Sequence, residues 1–122
     1  MALHNTKIDL SKDAREKLIE LLNSRLADAS DLKSQAKQAH WNVKGMSFIA
    51  LHELFDAIAT AVEAHIDLIA ERITTLGGTA MGTVRLAAQN SKRSGRRGEL
   101  LRRWRRDHRR RILLEPNNFR YR

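Results

Sequence analysis

Between Ser11 and the pair Gly77-Gly78 the apolar positions follow the period of an α-helix, with one interruption. Leu18, Leu22, Ala29, Leu32, Ala36 and Ala39 recur at three-, four- and seven-residue steps, which predicts one apolar stripe on a helix running to about Trp41. Ser11 is placed as its N-cap. Asp13 and Glu16 put negative charge in the first turn, where the helix end is partially positive. Asn42-Val43-Lys44-Gly45 breaks the pattern. A second stripe begins near Ser47 and continues through Leu51, Leu54, Phe55, Ile58, Val62, Ile66, Ile69 and Ile73. It should stop at Gly77-Gly78, because glycine readily takes the left-handed conformation that ends a helix.

Two long helices joined by a short loop form an antiparallel hairpin, half of a four-helix bundle. The expected fold class is therefore all-α. Each helix can cover only part of the other's apolar surface, so the hairpin requires two further helices or partner subunits. No strand-like alternation of useful length and no internal repeat interrupts this reading.

The pattern changes after Ser91, and so does the charge. Residues 1–91 carry ten Lys and Arg against eleven Asp and Glu, whereas residues 92–122 carry thirteen against three. The overall charge of +9 thus belongs to the C-terminal segment. Lys92-Arg93-Ser94-Gly95-Arg96-Arg97-Gly98 reads as a basic loop. Beyond it Leu101, Trp104, His108 and Ile112 could line a short basic helix, although arginine-rich text produces such spacing by chance, and Pro116 with Asn117-Asn118 would end it. The organisation expected is an N-terminal extension over 1–10, a helical hairpin over 11–91 and a basic segment over 92–122. Cysteine is absent, which excludes disulfides and thiolate metal sites. Neither a membrane-spanning run nor a signal-like N-terminus is present, which predicts a soluble cytoplasmic chain.

Polar residues on the second helix carry the candidate chemistry. His52 and Asp56 are four residues apart, as are Asp67 and Glu71, and both the outer pair (His52, Glu71) and the inner pair (Asp56, Asp67) are centred between Ala61 and Val62. At 1.5 Å per residue His52 and Glu71 lie roughly 28 Å apart, too far to share an ion. One chain cannot close such a site. A second copy packed antiparallel about that centre would set His52 against Glu71 and Asp56 against Asp67, giving a metal site at a homodimer interface. Imidazole and carboxylate suit iron, zinc or manganese and disfavour copper(I). With His40, the set of His52, Asp56, Asp67 and Glu71 carries enough negative charge for one divalent ion and, more weakly, a second. An isolated pair of this kind is ordinarily a solvated helix face.

Several motifs in order, with their spacing kept, resemble the Dps family of ferritin-like mini-ferritins. They are Gln38-Ala39-His40-Trp41-Asn42-Val43-Lys44-Gly45, Phe48-Ile49-Ala50-Leu51-His52-Glu53-Leu54-Phe55-Asp56, His65-Ile66-Asp67, Ala70-Glu71-Arg72 and Leu76-Gly77-Gly78-Thr79-Ala80. The resemblance covers about residues 8–91. It implies a ferritin-like bundle in a twelve-subunit shell, in bacteria under starvation or oxidative stress. It also implies a ferroxidase centre in which His40, His52 and Asp56 come from one subunit and Asp67 and Glu71 from its neighbour. The substrate would be Fe(II), the oxidant hydrogen peroxide or oxygen, and the ferric product would be stored. Trp41 matches a tryptophan close to the iron site, where it can meet oxidant; the alternative is a core aromatic anchoring the helix end. His65 lies beside the motif and is read as structural, and His4 as an accessory metal residue or simply solvated.

Family members carry two further long helices where this chain has its arginine-rich segment. A frameshift in a GC-rich gene would produce such a switch, and it predicts that another frame after codon 91 encodes an amphipathic helix pair. Without those helices the ligand set loses scaffold, which predicts partial disorder, aggregation or an inactive centre. The rival functions are nonspecific DNA binding through the basic segment, with affinity falling steeply as salt rises, and a purely structural hairpin.

Overall fold

A computed structural model describes residues 3–91, and expectations for the basic segment, including its short helix, lie outside the described residues. The described residues hold three helices, α1 (Lys12–Asn42), α2 (Phe48–Thr75) and α3 (Val84–Asn90). The all-α reading and both long helices match the sequence pattern to within a residue or two.

Ser11 caps α1 as expected, its Oγ accepting from the Ala14 backbone N–H at 3.2 Å. The α1–α2 link turns at Gly45, whose φ of 107° lies in the left-handed region. Helix α2 ends in a Schellman motif. The Gly78 N–H donates to the Ile73 carbonyl at 3.0 Å and the Gly77 N–H to that of Thr74 at 2.9 Å, with Gly77 at φ 86°. The remaining carbonyls of this end are taken by the N-terminal part of the chain. Thr6 Oγ1 donates to Thr75 O at 2.8 Å, Arg15 Nη1 to Leu76 O at 3.4 Å, and the His4 N–H to Gly77 O at 2.8 Å. Residues 3–8 are thus a strap across the end of α2, with Leu3 and Ile8 packed against the core.

The core lies at this end of the hairpin. Ile19, Leu26, Ile73 and Leu76 form it, with Ile66 and Ile69 packed alongside. Truncating one of its fully buried isoleucines to alanine would cost about 2–5 kcal/mol. Gly78 fits there because a Cβ would stand 2.8 Å from Ile19. Asn23 fixes the next stretch by accepting from the Met81 N–H at 2.8 Å and donating to Thr79 O at 3.1 Å. Helix α3, which the apolar pattern did not single out, starts at Thr83, whose side chain accepts from the Leu86 N–H. It packs on α1.

Toward the α1–α2 loop the cover is thinner. Leu54, expected on the buried stripe, is 51% exposed, because α1 covers only one side of α2. Leu68 is 62% exposed, and Ala57, Ala61 and Ala64 are exposed as well. At about 100° per residue these five positions fall within roughly 80° of arc on the outer face of α2. No helix among the described residues is long and apolar enough to cross a membrane.

Candidate metal centre

His40 stands in the last turn of α1 and His52 in the second turn of α2, so the turn at Gly45 folds them against each other. Their rings stack with centroids 3.6 Å apart and planes 25° from parallel. Each imidazole also bonds to the other's main chain. His40 Nδ1 is 2.8 Å from the His52 carbonyl, and His52 Nδ1 is 3.0 Å from the His40 carbonyl. A carbonyl only accepts, so each Nδ1 carries the hydrogen. In the neutral rings that leaves the lone pair on Nε2, the arrangement that prepares a histidine for a metal. Phe48 packs at the edge of the pair, its ring centroid 5.1 Å from that of His52.

Asp56 follows His52 by one turn and is met by a residue that the sequence motifs left out. Lys37 Nζ lies 2.6 Å from Asp56 Oδ1. This hydrogen bond and the ammonium charge hold the Asp56 carboxyl below the usual carboxylate range, with smaller help from His40 and His52 and against a little desolvation. Lys37 precedes His40 by three residues and so shares its face of α1. That spacing was a readable signal for its position, though not for its partner. One turn earlier Lys33 pairs with Glu63 of α2.

Asp67 and Glu71 stand further along the same helix, exposed, and their carboxylates meet no partner among the described residues. His52, Asp56, Asp67 and Glu71 occupy about 100° of arc on α2, beside the exposed alanine face. The structure thus brings His40 and His52 together, sets Asp56 one turn further along α2 on Lys37, and leaves Asp67 and Glu71 apart. Among the described residues no group of three or more His, Asp or Glu forms a metal site within the single chain. Trp41 is 70% exposed, so within the single chain it does not anchor the helix end in the core. His65 is also exposed and therefore packs no core, and the His4 ring is exposed too.

A paired helix hairpin with imidazole and carboxylate on one face is the architecture of ferritin-like chains, and the ferritin-like domain family matches residues 19–103. The match ends beyond Ser91, inside the basic segment. The DNA protection during starvation protein of Agrobacterium fabrum is 47% identical over 92 residues, covering 75% of this chain and 57% of that protein. A DNA protection during starvation protein of Bacillus anthracis is 43% identical over 70 residues, covering 57% and 48%. Among solved structures, DpsC from Streptomyces coelicolor superposes with a TM-score of 0.72 at 35% identity, over 75% of this chain and 53% of that one. A Vibrio cholerae O1 Dps protein, described as one of a broad superfamily of ferritin-like diiron-carboxylate proteins, gives 0.69 at 30% identity, over 75% and 58%. This chain belongs to the Dps family of ferritin-like proteins. It spans about half the length of the curated relatives it matches.

Proposed function

We propose that this chain binds Fe(II) between two copies of itself and oxidises it, as a ferroxidase and iron-storage protein that protects DNA from oxidative damage. The observation that carries the proposal is the placement of His52, Asp56, Asp67 and Glu71 on one face of α2, symmetric about the point between Ala61 and Val62, with the three carboxylates exposed. Pairing two α2 helices antiparallel about that point sets His40, His52 and Asp56 of one copy against Asp67 and Glu71 of the other. Small residues at Ala57, Ala61 and Ala64 would let the helices approach closely, and pairing would cover Leu54 and Leu68.

The chemistry follows from the donors. Two imidazoles and three carboxylates offer nitrogen and oxygen ligands suited to Fe(II), and their negative charge favours the ferric product. Two Fe(II) ions give up one electron each; hydrogen peroxide takes both electrons with two protons and leaves as two waters. No hydroxyl radical is released. Trp41, exposed beside His40, stands where oxidant would arrive. The relatives' names support DNA protection. The setting inferred is cytoplasmic, in a homo-oligomer of the twelve-subunit kind.

Anaerobic Fe(II) titration of the full chain tests this reading. Saturation at about two ions per shared site, lost in His52→Ala and in Asp67→Ala, is the expected result; uptake unchanged by both substitutions would refute it. The basic segment supports a second reading. Its excess of ten positive charges would bind DNA without sequence preference, and deleting residues 92–122 would abolish that binding while removing no ligand.

A further inference from the structure

Met46 lies in the link between α1 and α2, and its side chain is exposed as fully as in an extended chain, at 108% of the reference area, beyond every other large apolar residue described. The turn it belongs to is closed by the main chain. Gly45 takes the left-handed conformation, and its carbonyl accepts from the Phe48 N–H at 3.1 Å. The thioether therefore adds no packing to the link. Met81, the other methionine among the described residues, is 38% exposed, and its N–H is fixed on Asn23. Thioethers are soft and polarizable, and oxidation to the sulfoxide is their common reaction with peroxide. Met46 is placed to react without cost to the fold.

We propose that Met46 is a second, iron-independent site of peroxide consumption, a thioether oxidised reversibly to the sulfoxide. The sulfur lone pair attacks one oxygen of hydrogen peroxide, and the S–O bond forms as the O–O bond breaks. The departing oxygen takes up the proton released from the first and leaves as water. Sulfur gives up two electrons and peroxide takes both, so no radical forms and no metal is needed. The proposal rests on the reading above only in taking hydrogen peroxide as the oxidant this chain meets. A sulfoxide is polar and disrupts a packed core, but at Met46 it meets only solvent. The same exposure admits a thiol-dependent methionine sulfoxide reductase, which restores the thioether. Partial burial of Met81 hinders both steps there.

The full-length, metal-free chain treated with hydrogen peroxide and followed by peptide mass spectrometry tests this. Met46 should gain one oxygen atom about three-fold faster than Met81, the ratio of their exposures. Chain oxidised at Met46 alone should melt at the parent temperature and be restored by a reductase pair covering both sulfoxide epimers. Met46→Leu should fold as the parent does and lose that share of peroxide consumption. Met46 oxidised no faster than Met81, or a melting temperature lowered by its oxidation, would overturn the proposal. Loading the chain with Fe(II) separates this from the metal reading: iron at the candidate centre should divert peroxide and slow the oxidation of Met46, and His52→Ala should abolish that protection. Fast oxidation of Met46 that iron does not slow would leave the thioether role standing and count against the shared centre.

Discussion

His40 and His52 hold each other through the main chain: each imidazole Nδ1 donates to the carbonyl of the other residue, at 2.8 and 3.0 Å, while the rings stack. The His40 carbonyl belongs to the last turn of α1, where no further turn supplies a helical donor, so the His52 ring acts as a cap on that end. Alanine at either position leaves the other ring its main-chain acceptor but takes away its stacking partner. His40→Ala and His52→Ala should therefore be non-additive in the metal-free chain, with a coupling of about 1 kcal/mol in a urea double-mutant cycle. Strict additivity would mean that the two rings are independent neighbours.

The acid limb of stability should carry the signature of Asp56. Its carboxyl is held below the usual range chiefly by the hydrogen bond from Lys37. A carboxyl whose folded pKa is depressed contributes stability above its unfolded pKa and loses it as pH falls through the folded value. The parent chain should thus exceed Asp56→Asn in stability at neutral pH, and the gap should close below about pH 4. Melting the metal-free pair of proteins across that window measures it; a gap independent of pH would assign the effect to packing.

Much of this fold was legible because periodicity and caps are local. Ser11, the break at Gly45 and the Gly77-Gly78 stop each act within a few residues, and each lies where the pattern put it. Helix α3 was harder to read: it is seven residues long, and only Thr83 at its N-cap announces it. The exposure of Leu54 and Trp41 was hidden for another reason. An apolar residue on a helix does not say whether its cover comes from the same chain, and here α1 shields only one side of α2. The candidate ligands could be named from spacing and resemblance, but the Lys37–Asp56 pair could not, because it depends on the rotation of α1 against α2.

The two left-handed glycines should respond differently to a methyl group. At Gly45 an added Cβ would meet nothing within 4 Å, so Gly45→Ala should cost only the backbone strain, about 1 kcal/mol. At Gly77 a Cβ would stand 2.4 Å from the His4 carbonyl oxygen. Gly77→Ala should cost roughly 2–3 kcal/mol, strain plus displacement of the strap. Equal losses in chemical denaturation would mean that residues 3–8 do not hold the end of α2.

The exposed face of α2 gives the sharpest separation between assembly and ligation. Leu54 and Leu68 are apolar, yet they are 51% and 62% exposed, and they flank the same centre as the two ligand pairs. Replacing both with lysine adds two charges per copy where the helices would meet and touches no candidate ligand. In the shared-site reading Leu54→Lys/Leu68→Lys should yield a monomer by sedimentation, and Fe(II) binding should fall to the level of Asp67→Ala, because Asp67 and Glu71 would no longer reach His52 and Asp56. Helical content should stay near the parent value, since neither residue belongs to the core around Ile19 and Ile73. A monomer that still bound Fe(II) at parent affinity would show that one chain suffices, and the symmetry about Ala61 and Val62 would then have no part in the centre.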